Sequence, residues 1–138
     1  MATLEGKYAY QSFTSRMGAM GAVPIPPEIL SPWTPHGELQ ATTDPAGKVT
    51  GTLSFTGSPV VFDVTGSMTP AAGNVPEGVA LKGEGAGAVY DIRGFFLADR
   101  GSNHIVGTVV AIHNDVGASP RPNGTSGPFY LFPMPPTA

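Results

Sequence analysis

The segment Tyr90-Asp91-Ile92-Arg93 sets a carboxylate and a guanidinium two positions apart beside a phenol, a combination able to move protons or hold an anion. In an extended chain alternate side chains share a face, so Asp91 and Arg93 lie with Val89, Phe95 and Leu97, opposite Tyr90, Ile92 and Phe96. Facing an apolar interior, the two charges must pair, and a carboxylate beside a cation in a cavity is an acid/base or anion-anchoring device. Facing water, they are an ordinary surface ion pair. Tyr90, Asp91 and Arg93 are the candidate catalytic residues if the chain is an enzyme.

A second group suits binding. Tyr8 and Tyr10 share a face with Ser12, and Tyr130 lies near them if the first and last strands adjoin. Each Tyr offers an apolar ring and one hydroxyl, which orients a molecule in a greasy cavity. Trp33, Phe55 and Phe62 add large apolar surfaces, completing the candidate ligand-binding set Tyr8, Tyr10, Trp33, Phe55, Phe62 and Tyr130. The competing role for all six is core packing. His36, His104 and His113 are too scattered for a local metal motif, so no metal site is expected. Gly83-Glu-Gly-Ala-Gly-Ala88 has the glycine spacing of a dinucleotide loop but no helix follows it, and no cofactor is expected.

These residues need a scaffold. The 138 residues suit one domain, residues 1–138, and 19 Gly with 15 Pro against 12% charged residues exclude a charged helical bundle. The 41% apolar content arrives in short bursts of Val, Thr, Phe and Tyr fenced by Gly, Pro, Asn or Asp, which is strand patterning. Eight strands are predicted over residues 6–13, 37–43, 48–56, 59–69, 78–85, 88–97, 104–112 and 128–133. Asp44-Pro-Ala-Gly47 and Thr56-Gly-Ser-Pro59 read as hairpin turns, and Gly85-Ala-Gly87 and Asp99-Arg-Gly-Ser-Asn103 join the next pairs. The fold class is all-β: an eight-stranded antiparallel up-and-down barrel, closed to remove its edges.

Two long connections interrupt the meander, residues 14–36 and 117–127. The first carries Met17, Met20, Val23, Ile25, Ile29, Leu30 and Trp33, with Pro27-Glu-Ile-Leu30 as one helical turn, and is expected to cover a barrel mouth. Glycines at 51, 66, 83, 85, 94 and 107 fall inside predicted strands, where they fit a tightly curled sheet and are expected to enlarge the interior. Residues 105–112 and 129–132 are apolar on both faces, so the loop or another subunit must cover them, and a homo-oligomer, most simply a dimer, is expected.

Several features resemble the calycin-type barrels, the lipocalin and avidin families: Gly6-Lys7-Tyr8 entering the first strand, a long first loop, the Lys48-Val-Thr-Gly-Thr52 rise, and Gly-punctuated strands to the end. The resemblance implies a barrel with an interior ligand site. Tyr8 stands where lipocalins place the Trp that closes the barrel base, and Trp33 alone replaces the several pocket Trp residues of avidins, which speaks against biotin.

A net charge of −3 with seven scattered Lys and Arg gives no stripe for phosphates, and no nucleic-acid partner is expected. No apolar run of about 20 residues or signal-peptide core is present, and no Cys, so a cytoplasmic protein without a membrane partner is expected. Three functions compete: a barrel binding one hydrophobic or aromatic small molecule, a cofactor-free isomerase or cyclase using the cavity, and a structural oligomerisation domain.

Overall fold

Hairpin chemistry builds the molecule. Pro45 presets the first bend, Gly47 takes φ of +87°, and the Asp44 carboxylate accepts hydrogen bonds from the Ala46 and Lys48 amides at 2.9 Å each. Gly57 turns the next hairpin with φ of +74°. At Gly85-Ala86-Gly87 both Ala86 (φ 49°) and Gly87 (φ 84°) are left-handed, the backbone that a two-residue hairpin requires.

The structure, a computed structural model, describes residues 3–15, 30–97, 104–114 and 124–134. Its strands are β1 (Gly6–Ser15), β2 (Leu30–Pro32), β3 (Gly37–Thr43), β4 (Lys48–Phe55), β5 (Val61–Thr69), β6 (Gly78–Gly85), β7 (Ala88–Phe96), β8 (Ile105–Asn114) and β9 (Ser126–Pro133). All eight predicted strands are present. The long strands pair antiparallel in sequence order from β3 to β9, and β1 pairs with both β3 and β9, so the sheet closes into an eight-stranded up-and-down barrel. Among the described residues there is no helix, hence none able to cross a membrane. This closed barrel is compatible with the calycin type.

Part of the expected first loop is strand. β1 runs to Ser15, and Leu30, expected in a helical turn, lies in β2, which pairs with the end of β1 through Phe13 opposite Pro32. Residues 16–29, with most of the expected cover, fall outside the described residues, as do the Asp99–Asn103 turn and most of residues 117–127.

Alternation sorts the wall. In β4, Val49, Leu53 and Phe55 are buried while Thr50 and Thr52 are exposed, and every long strand shows a comparable split. One end, the base, is shut. Leu4 is wholly buried there, its amide donating to Thr43 Oγ1 and its carbonyl accepting from the same hydroxyl, both at 2.9 Å. Tyr8 is also buried at the base, its hydroxyl accepting from the Glu5 amide at 3.1 Å. The opposite end, where β1 and β8 finish and β2 lies, is the mouth.

Of the six strand glycines only Gly83 leaves space, a Cβ there meeting nothing nearer than Ile92 Cδ1 at 3.8 Å; the other five do not hollow the barrel. A Cβ on Gly107 would collide with the Arg93 carbonyl oxygen, and one on Gly51 with that of Gln40, so the space is filled by neighbouring backbone. Glycine permits the sharp coiling that closes eight strands. The expectation of an enlarged interior is thereby corrected.

Candidate ligand-binding chamber

The interior is divided by chemistry. Toward the middle the lining is aliphatic below Tyr10, with Leu39, Leu53, Val64, Leu81, Ile92 and Leu131 around one void. Toward the mouth it is aromatic. Tyr90 meets Phe62 at 5.4 Å between ring centroids, Phe62 meets Phe55 at 5.5 Å, Phe55 meets Tyr10 at 6.3 Å, and Tyr10 stacks on Phe129 at 5.9 Å. These separations lie in the favourable range for ring pairs.

Trp33 caps this chamber. It belongs to no strand, sitting on the short bend between β2 and β3 with its amide donating to the Ser12 carbonyl at 2.9 Å. From there its ring crosses the mouth to Tyr90 on β7, four strands around the ring from β3, and the two meet edge to face at 5.7 Å. Partly buried, Trp33 packs on the core below.

A small polar group lies within this aromatic shell. The Tyr10 hydroxyl is hydrogen-bonded to the Ser12 side chain, and burial pushes its ionisation well above the ordinary phenol range, with Ser12 opposing the shift and Tyr90 adding to it. Thr34 Oγ1 is buried in the same lining without a hydrogen-bond partner. Among the described residues no Asp, Glu, Lys or Arg lines the chamber. The described lining therefore offers neutral hydroxyls and rings, and the Tyr10 phenol stays protonated at neutral pH.

Free space is small. Among the described residues two interior voids of about 10 Å³ each are found, one under Trp33 and one deeper, each room for roughly one water.

Five of the six expected binding residues, Tyr8, Tyr10, Trp33, Phe55 and Phe62, face the interior, although Tyr8 lies at the base, apart from the chamber. Tyr130 does not. Closure pairs β1 with β9 as expected, but the register puts Leu131 opposite Tyr10 and Phe129 opposite Ser12, so Phe129 and Leu131 point inward and Tyr130 outward. The expected catalytic trio is split by the wall. Tyr90 is inside, whereas Asp91 and Arg93 form a pair of 3.1 Å on the outer face, with side chains 34% and 73% exposed. Their inward placement, on which the acid/base reading depended, does not occur. Sequence reasoning passed over Phe129 and Thr34. Phe129 was hidden in a run apolar on both faces, and Thr34 gave only the weak signal of a hydroxyl next to the single Trp.

Comparison with known proteins finds no matching family model, curated protein or solved structure.

Proposed function

We propose that this chain is a small-molecule binding barrel that takes one neutral, flat, one- or two-ring molecule into the chamber beneath Trp33. The observation that carries the reading is the seat itself: an aromatic shell with an unpartnered buried hydroxyl, capped by an indole held on a bend instead of a strand. A ligand takes the place of the indole, stacks among Phe55, Phe62 and Tyr90, and gives Thr34 Oγ1 the hydrogen bond it lacks. Charged ligands are disfavoured, because nothing in the described lining offsets their desolvation. The closed base under Tyr8 and the opposite mouth support reading the chain as a calycin-like barrel. Absence of Cys supports a reducing, cytoplasmic setting.

The test is titration with two probes of similar shape, neutral N-phenyl-1-naphthylamine and anionic 8-anilinonaphthalene-1-sulfonate, followed by the emission of Trp33, the one Trp of the chain. Saturable binding of the neutral probe, with a shift of Trp33 emission toward that of exposed indole, is expected. Native mass spectrometry without a carried ligand, together with no saturable binding of either probe, refutes the proposal. A structural role is the second reading, favoured by the voids of only about 10 Å³, and that negative result is the outcome it requires. The isomerase or cyclase reading is left without its charged pair, which lies outside.

A further inference from the structure

The outer wall is not uniform. On β3 to β5 it is polar, with Glu38, Gln40, Thr50, Thr52, Asp63 and Thr65 at outward positions. On the other side, β8 and β9 contain no Asp, Glu, Lys or Arg. Ile112 is 53% exposed and Phe132 39%, and Phe95 on neighbouring β7 is 47% exposed. Tyr130 stacks on Phe132 at 4.5 Å with 16° between planes, and Phe13 of β1 leans on Tyr130 at 6.3 Å. Exposed apolar and aromatic residues thus occur on four adjacent strands, β7, β8, β9 and β1, with the Asp91–Arg93 pair among them.

We propose that this face joins two copies of the chain around a two-fold axis near Thr108. Thr108 is exposed on β8, in register with Arg93 on one side and Pro128 on the other, in the middle of the face. Size and charge both select a second copy. Ten residues of β8 at a rise of about 3.3 Å, across four strands about 4.8 Å apart, give on the order of 600 Å² per copy. Doubled, that is at most about 1,200 Å², since four of eight strands wrap half the barrel and a convex copy cannot touch all of them; this upper limit lies at the lower edge of stable specific interfaces. The charges on the face, Asp91 and Arg93, already form a pair at 3.1 Å. A two-fold axis sets that neutral pair against its own copy without net repulsion, whereas a strongly acidic or basic partner finds no counter-charge to read. The apolar residues that water would otherwise meet are then covered by the same residues of the second molecule.

Sedimentation equilibrium and light scattering over about 5–100 µM test the proposal. The wild-type chain is expected at twice its 14.1 kDa mass. Thr108→Lys, which brings two like charges together at the axis, is expected to weaken association at least tenfold while far-UV circular dichroism and Trp33 emission stay unchanged. Because the chain has no Cys, Thr108→Cys is a second probe, expected to give a disulfide-linked dimer on mild oxidation. Thr52→Cys on the opposite wall is expected to give none. A 14.1 kDa species at 100 µM, a dimer indifferent to Thr108→Lys, or equal cross-linking at both cysteines overturns the proposal. So does a monomer that dimerises only when residues 16–29 are deleted, since that segment would then be what covers the face.

Discussion

Trp33 and Tyr90 touch edge to face at 5.7 Å across the mouth, one from the bend before β3 and the other from β7 on the far side of the ring. The contact holds the chamber shut while tying together strands that share no hydrogen bonds. Removing it therefore has two opposite effects. Trp33→Ala is expected to lower unfolding stability by about 1–3 kcal/mol, less than for a fully buried Trp because the ring is only partly covered. It is also expected to tighten binding of N-phenyl-1-naphthylamine, since no indole must be displaced. Urea denaturation and probe fluorescence measure the two; weaker probe binding in the variant contradicts the gating role.

Thr34 separates binding from stability in another way. Thr34→Val removes a buried hydroxyl that has no partner, so the free protein is expected to be as stable or slightly more so. Binding of a two-ring probe bearing a hydroxyl, such as 2-naphthol, is expected to fall about fivefold, the equivalent of one hydrogen bond of about 1 kcal/mol, while naphthalene binds as before. Calorimetric titration of both compounds checks this, and equal losses for both mean that Thr34 is only packing.

Alkali should act through the buried phenols. Burial raises the Tyr10 ionisation above the ordinary value of 10.0, and Tyr8 shifts in the same direction, mainly through burial. A raised folded-state value means that the unfolded chain gives up these protons first. Their contribution to stability is thus complete below pH about 10 and falls as pH rises from there toward the folded-state values. Urea midpoints measured from pH 8 to 11.5 are expected to be level at first and then to drop. Tyr10→Phe should flatten part of the decline; an unchanged decline assigns it to other groups.

Backbone geometry gives two further expectations of opposite sign. Gly107→Ala places a methyl group against the Arg93 carbonyl and is expected to cost at least about 2 kcal/mol. Ala86→Gly relieves the left-handed alanine at the β6–β7 turn and is expected to add roughly 0.5–1 kcal/mol, part of the strain being offset by the looser unfolded chain. Chemical denaturation of both variants gives the signs directly.

Asp91→Asn, by contrast, should leave probe binding unaltered, because the pair sits on the outer wall, away from the chamber. A large loss of binding would return Asp91 to the functional site.

The barrel was legible in the residues because strands, turns and faces are local properties. Alternation in residues 48–55 identified the inward Val49, Leu53 and Phe55, and Asp44-Pro-Ala-Gly47 announced its own turn. Residues 129–132 were different. With Phe, Tyr, Leu and Phe in succession, alternation leaves both registers open, and only pairing with β1 decides that Tyr130 points outward. Residues 90–93 had the same ambiguity, resolved when Tyr90 and Ile92 took the interior and left the charges to water. The filling of the lumen was beyond local reading. Whether a strand glycine opens space or admits a neighbouring backbone depends on how tightly the wall coils, a property of the whole ring.

The ring has one seam unlike its other long joints. From β3 through β9 each strand lies beside its successor in the chain, but β1 and β9 come from opposite ends of the sequence, and pairing Ser12 with Phe129 closes a loop that contains every other long strand. Loop-closure entropy makes such a joint the slowest to form. If it is also the first to part, the amides of Gln11 and Tyr130, which lie in phase with the Met134-to-Lys7 bond across the seam, should exchange with solvent deuterium sooner than those of Leu53 and Phe62, which face each other across β4 and β5. Breathing along that one line would let the barrel widen without unfolding, admitting a guest for which the closed cylinder has no room.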